Sequence, residues 1–351
     1  MQIQREMRKR MRESLERLLA LPLDEGRLLI LTHHNPDPDC LASSAAMKFL
    51  LKKKRGIEAT TAYSGIIGRA ENRAMVRLLG LQFEHIDEID FDDFRYIALI
   101  DAQPRTGNTA VPEDRDVDIV IDHHPIRDTT KKAAFHEVVE ELGATATLLT
   151  GYLRIARLKI PQDLATALLY AIRSETQDLG REVSEHDLIA YETLVPLADR
   201  ALLAAISSPT LERHYFSQLA HAMEALLVGH STAVCPMEQV RDPDFVPEMA
   251  DLIVRMEGIR WALAWGAFRD RLYLSIRTNV PEANAGEVMQ QILEGVGKGG
   301  GHGMRAGGAI ELNGSSALPA RIAEKLIRRF LQRVDEPSTL EPFRESAAAS
   351  R

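Results

Sequence analysis

What most narrows the fold of this chain is a succession of short apolar runs, each closing on polar side chains and separated by helical patterns. RLLILTHH (27–34), EATTAY (58–63), YIALID (96–101) and DIVID (118–122) read as buried strands. CLASSAAMKFLLKKK and ENRAMVRLLG between them, and ATATLLTGYLRIARL and DLATALLYAIRSE after them, place apolar residues at helical spacing. Strands alternating with helices build a parallel sheet with right-handed crossovers, so the expected class is α/β.

The pattern then changes. A helical, charge-punctuated connector covers about 195–215, and a second set of elements follows. Its strand candidates are RWALAWGAF and RLYLSIRT; EANAGEVMQQILEGV and PARIAEKLIRRFLQRV read as helices flanking a glycine-rich stretch. The expected organisation is an N-terminal helix over 1–26, a parallel-sheet domain with flanking helices over 27–194, the connector over 195–215, a smaller α/β domain over 216–334, and a polar, disordered tail over 335–351. A length of 351 residues accommodates two such domains.

Composition excludes several classes of function. No apolar stretch approaches the roughly 20 residues of a membrane span. MQIQREMRKRMRESLERLL at the start is a charged amphipathic helix rather than a signal peptide, so a cytoplasmic location away from membranes is expected. Cys40 and Cys235 lack CxxC spacing, which argues for reduced thiols and against a disulfide framework or a cysteine-rich zinc site. A net charge of -8 speaks against coating long nucleic acid, whose binding rests on many phosphate contacts.

The polar residues at the strand ends carry the chemistry. THHNPDPDC (32–40) supplies His33, His34, Asp37 and Asp39 after the first strand; Asp101 closes the third, and Asp122, His123 and His124 close the fourth. In an open parallel sheet, ligand sites form beyond the carboxyl ends of the strands. Each group alone could be a solvated turn, but together they aim imidazoles and carboxylates at one edge. Carboxylates gathered there resist ionisation unless a cation neutralises them. Mixed oxygen and nitrogen ligands suit manganese or magnesium, while Cys40 reads as a small residue packing at the start of the next helix.

HHNPDPDCLAS, LIDAQPRTGN, VIDHHP and GGGHGMRAGGAI resemble, in order, the motifs of the DHH phosphoesterase family, in the branch with the DHH-associated C-terminal domain. The resemblance spans about 27–315 and is nearest to oligoribonucleases that also act as pAp phosphatases, with cyclic-di-AMP phosphodiesterases as close relatives. It implies two divalent cations, usually manganese, and an active-site cleft between the two domains. His33 and Asp37 would hold the first metal, Asp39 and His123 the second, and Asp101 would bridge both. His124 resembles the family's phosphate-contacting histidine, Asp122 a group that orients its neighbours, and His34 has no matching role.

One motif departs from the family pattern. Where a Thr-Asp-Thr usually supplies a further ligand to the second metal, this chain has Ser174, Glu175 and Thr176. Either Glu175, with its extra methylene, or Asp178, one helical turn on, could fill the place.

In the second domain, Gly295, Gly297 and Gly300 match GxGxxG but follow a helix rather than a strand, so a dinucleotide-binding loop is excluded by context. Gly299, Gly300 and Gly301 before His302 are expected to form a loop whose backbone approaches a substrate, with His302 and Arg305 adding charge. Arg277, ending LYLSIRT, resembles the family's arginine facing the cleft. The expected enzyme is a manganese-dependent hydrolase of short single-stranded oligonucleotides or linear dinucleotides, with pAp phosphatase activity; it binds no long duplex, and a homodimer is allowed. The alternatives are cyclic-di-AMP or phosphoanhydride hydrolysis, or a nucleotide-binding regulator that has lost catalysis.

Overall fold

The computed structural model describes residues 2–181, 183–314, 318–334 and 339–343, with residues 2–5 and 302 through their backbone alone. The chain divides into two compact units, Met1–Pro209 and Thr210–Arg351. No helix among the described residues is long and apolar enough to cross a membrane.

The first unit contains α1 (Gln2–Leu19), β1 (Leu28–His34), α2 (Pro38–Arg55), β2 (Ala59–Ser64), α3 (Ala70–Leu78), β3 (Glu84–His85), β4 (Tyr96–Ile100), β5 (Ile119–Asp122), β6 (Phe135–Val138), α4 (Thr145–Ile155), α5 (Gln162–Glu175), α6 (Glu185–Leu194) and α7 (Arg200–Ser207). Its six strands pair in the order β3-β2-β1-β4-β5-β6, and every pairing is parallel. The continuous apolar runs follow from burial on both faces. Leu28, Ile30, Ala98, Ile100, Ile119 and Ile121 face one core, while Leu29, Leu31, Ile97, Leu99 and Val120 face the other. The chain runs outward through β2 and β3, then returns to place β4 on the other flank of β1. Between β1 and β4 lies the switch point where such sheets bind ligands.

The N-terminal helix is part of this unit. Met11, Leu15 and Leu18, spaced at helical intervals, are buried in the core that α2, α4 and α5 build. Ser14 Oγ donates to Glu137 of edge strand β6 at 2.5 Å, Arg10 Nε donates to the same carboxylate at 2.9 Å, and Tyr152 donates to Ser14 at 2.9 Å. These bonds lay α1 against an edge that would otherwise be open to pairing. In the connector, α7 buries Ile206 in the same core.

α6 begins with a reciprocal capping box between Ser184 and Asp187. The buried Asp187 carboxylate also accepts from Gly143 N at 2.9 Å and Thr147 Oγ1 at 2.5 Å, so it anchors the loop that leads into α4. Asp187→Ala is expected to cost about 3 kcal/mol of unfolding free energy, because several buried donors lose their acceptor together. Urea denaturation measures this, and a loss under about 1 kcal/mol would show that water replaces the carboxylate.

The second unit holds α8 (Arg213–Ala225), β7 (Leu227–Val228), β8 (Thr232–Gln239), α9 (Phe245–Ile253), β9 (Trp261–Phe268), β10 (Arg271–Thr278), α10 (Ala285–Leu293), β11 (Lys298–His302), β12 (Arg305–Glu311), α11 (Ala320–Arg333) and β13 (Glu341–Pro342). The strands form a seven-stranded mixed sheet in the order β11-β12-β10-β9-β8-β7-β13, in which β8 and β9 are parallel. The tail expected to be disordered from Asp335 lies outside the described residues except for 339–343, where β13 pairs with β7.

The glycine-rich stretch is not a loop. Gly299, Gly300 and Gly301 lie in edge strand β11, which pairs with β12 in an antiparallel hairpin. Close packing explains the glycines: a Cβ on Gly299 would sit 2.7 Å from both Leu293 and Met289 of α10, and one on Gly308 would sit 2.3 Å from Leu293. Gly301 has φ +157 and Arg305 carbonyl oxygen 2.3 Å from where its Cβ would be.

Candidate metal centre

Local structure at the end of β1 aims its polar residues. Asn35 takes a left-handed conformation with φ 54, and its side chain accepts from Ile66 N at 2.9 Å, turning the chain over the end of β2. Asp37 then caps α2, with Oδ1 accepting from Asp39 N at 3.0 Å and Cys40 N at 3.1 Å, while Pro38 enters the first helical turn. One carboxylate oxygen is thereby used for the cap. The other, Oδ2, lies 3.6 Å from His33 Nε2.

Asp101, just past β4, also adopts a left-handed backbone with φ 58, a conformation that costs a residue of this type about 1 kcal/mol or more. Its amide donates to Ile121 carbonyl at 2.8 Å and Thr145 Oγ1 donates to its Oδ1 at 2.8 Å, which fixes the buried carboxylate. Oδ2 lies 3.8 Å from His33 Nε2, whereas Oδ1 lies 3.6 Å from His123 Nε2 and 3.8 Å from His124 Nδ1. One carboxylate thus addresses two groups of ligand atoms. Asp39, fully buried, accepts from the first amides of α4, Thr145 N at 2.7 Å and Ala146 N at 2.8 Å, and its Oδ2 lies 3.9 Å from His123 Nε2.

The histidines are prepared as ligands. His33 Nδ1 is 2.8 Å from His34 carbonyl, and His123 Nδ1 is 3.0 Å from Leu142 carbonyl. A carbonyl only accepts, so in the neutral ring the proton sits on Nδ1 and Nε2 presents its lone pair toward the carboxylates. The ligand atoms of His33, Asp37 and Cys40 all lie within 4.8 Å of one another, and so do those of Asp101, His123 and His124. Cys40 is buried, as a packing residue should be, but its thiol also joins the first of these groups.

The electrostatics match a site awaiting positive charge. Burial and the Asp101 charge raise the pKa of Asp39; burial with the Asp37 and Asp122 charges raises that of Asp101, against the pull of His124. Burial works against a charge on His33, yet Cys40 and Asp37 raise its pKa, while His33 holds Asp37 well below the carboxylate range despite burial. Burial pushes the Cys40 thiol up, which leaves Asp37 as the anion beside His33. A bound divalent cation would relieve the repulsion between these carboxylates. The donor set of carboxylate oxygens and imidazole nitrogens fits such an ion.

His124 has a different setting. Its Nδ1 is 2.8 Å from Asp122 Oδ1; burial opposes a charge on the ring, but that bond and the Asp101 charge raise its pKa to about 10. In the metal-free protein the neighbouring carboxylates thus favour the protonated ring of His124. Burial also works against charge on Asp122, and the His124 bond outweighs it and lowers the pKa. His34 turns aside to the Ser64 hydroxyl.

Glu175 ends α5, and its charge is felt at Asp39. Asp178 is not brought to the cluster. The helix stops at Glu175, residues 177–179 are left-handed (φ 50, 55 and 66), and the exposed Asp178 carboxylate instead binds Arg173 Nε at 2.5 Å. In the second unit, Arg277 and Arg305 are directly opposed on β10 and β12. Arg277 Nε donates to Asp251 at 2.5 Å and its Nη1 to Ser275 Oγ at 2.7 Å, whereas Arg305 Nε is buried without a hydrogen-bond partner among the described residues. The side chain expected at His302 lies outside the described residues. Thr145 escaped the reading of the sequence, where it looks like any polar residue in a helical run.

Residues 27–172 match the DHH family, N-terminal domain. An uncharacterized protein of Methanocaldococcus jannaschii is 36% identical over 307 residues, covering 87% of this chain and 62% of that protein. The manganese-dependent inorganic pyrophosphatase of Bacillus subtilis is 27% identical over 150 residues, 43% of this chain and 48% of its own length. This chain therefore spans less than two thirds of the length of either relative. A solved exopolyphosphatase-related protein from Bacteroides fragilis shares the fold, with a TM-score of 0.66 at 12% identity over 87% of this chain and 92% of that one.

Proposed function

The chain carries the N-terminal domain of the DHH family, and from that premise we propose that it is a metal-dependent phosphoesterase acting on short oligonucleotides or linear dinucleotides, with phosphatase activity on pAp. The observation that carries this reading is the placement of Asp101, one oxygen toward His33 and the other toward His123. His33, Asp37 and Asp101 would hold one divalent cation, and Asp101, Asp39, His123 and Glu175 a second; manganese suits the donor set and is the metal of the pyrophosphatase relatives. Such cations, when bound, supply an acidified water and neutralise phosphoryl oxygens. The chain's own groups do the rest. Asp39 is held by the α4 amides, the Nδ1 bonds keep both ligand histidines in register, and His124 offers an N–H to a phosphoryl oxygen while Asp122 holds its other nitrogen. Arg277 and Arg305, opposed on the second unit's sheet, are the residues of that unit that would bind a substrate phosphate.

A second reading, hydrolysis of a phosphoanhydride, draws on the pyrophosphatase relatives. The test is a panel of pAp, RNA dinucleotides, cyclic-di-AMP and pyrophosphate, each incubated with the manganese-loaded protein. Fastest turnover is expected for the linear dinucleotides and pAp. Preference for pyrophosphate would install the second reading, and turnover of nothing in the panel would overturn both.

A further inference from the structure

We propose that Gln103, which lies outside the ligand set, positions His124 by holding Asp122, and that it does so with one end of its side-chain amide while the other end folds the loop beyond. Only the kinetic part of this proposal rests on the phosphoesterase reading. Gln103 is 3% exposed. Its Nε2 donates to Asp122 Oδ2 at 2.6 Å and lies 3.2 Å from Pro125 carbonyl and 3.4 Å from His124 carbonyl. Its Oε1 accepts from Arg127 N at 2.8 Å and from Thr130 Oγ1 at 2.7 Å. Chemistry fixes this orientation, because a backbone amide only donates; the flipped side chain would also set its oxygen against the Asp122 carboxylate.

The two oxygens of Asp122 therefore have separate tasks. Oδ1 receives His123 N at 2.8 Å, His124 N at 3.3 Å and the His124 ring at 2.8 Å. Oδ2 is held by Gln103, so the carboxylate cannot swing and carry Oδ1 off the imidazole. The bonds to the carbonyls of His124 and Pro125 fix the backbone from which the ring projects. Gln103 is a positioning residue, one step removed from the group that meets the phosphate.

Gln103→Met keeps the volume and removes both ends, whereas the control Thr130→Val removes a contact to Oε1 alone. In Gln103→Met, kcat is expected to fall about 10- to 100-fold with KM within about twofold of wild type, and the Nδ1–H resonance of His124, followed by NMR in the metal-free protein, is expected to broaden or vanish. Thr130→Val should keep both kcat and that resonance. Gln103→Asn, too short to reach Asp122, serves if the methionine variant does not fold. The proposal is overturned by kcat within about threefold of wild type, by a rise in KM alone, or by equal losses in Thr130→Val. If the wild-type protein hydrolyses nothing, the function reading has failed, and the His124 resonance still judges Gln103: an unchanged signal in the variant overturns the proposal.

Discussion

Replacing Asp101 by asparagine is expected to lower hydrolysis about a thousandfold or more while leaving the fold intact. The argument is geometric first. Asp101 Oδ1 and Oδ2 face different histidines, so an amide there presents a donor where the second ligand oxygen should be and cannot serve both sides. It is also electrostatic. Burial and the neighbouring carboxylates raise the pKa of Asp101 in the metal-free protein, so asparagine replaces a group that is itself poorly tolerated as an anion there. The metal-free variant should therefore be at least as stable as wild type. What it should lose is stabilisation by manganese, which for wild type amounts to about 2.7 kcal/mol at a hundredfold excess over Kd. Thermal unfolding with and without manganese, beside turnover, separates the cases: near-native activity, or an unchanged manganese effect, would refute the bridging role.

How much of this could be read from the sequence depended on what each residue's neighbours had to be. β1, β4 and β5 were legible because a parallel strand covered on both faces must be continuously apolar, and the polar residues terminating them must then sit at the sheet's carboxyl edge. β8 was missed: it carries Pro236, which cannot donate to a ladder, and its register with β9 shifts just beyond. The glycines of β11 suggested a ligand loop because sequence alone does not show that Leu293 and Met289 of α10 press on them. Among the candidate ligands, Asp37 and Asp39 read in the sequence only as polar residues after the first strand, whereas the structure puts them on the cap and first turn of α2, which begins at Pro38 rather than at Cys40. Thr145 touches the site through contacts 44 and 106 residues distant in sequence, and Gln103 reaches Asp122 from 19 residues away; no periodicity reports those.

The choice between Glu175 and Asp178 shows where spacing arguments end. Three residues apart, they would share a helical face only if the helix continued, and it stops at Glu175. Three consecutive left-handed residues then turn the chain, held by Asp178 N on Arg173 carbonyl at 2.8 Å and by Gly180 N and Arg181 N on Thr176 carbonyl, both at 2.9 Å. Asp178 is left in an exposed ion pair with Arg173, an interaction worth little, while the charge of half-buried Glu175 reaches Asp39. Glu175→Ala is accordingly expected to reduce turnover about a hundredfold and weaken manganese binding, with Glu175→Asp keeping much of the activity. Asp178→Ala should stay within about threefold of wild type. Turnover and manganese stoichiometry of the three variants decide the matter. A damaging Asp178→Ala beside a mild Glu175→Ala would mean that the loop rearranges to bring Asp178 onto the metal, and the turn after α5 would then be a metal-responsive element rather than a fixed one.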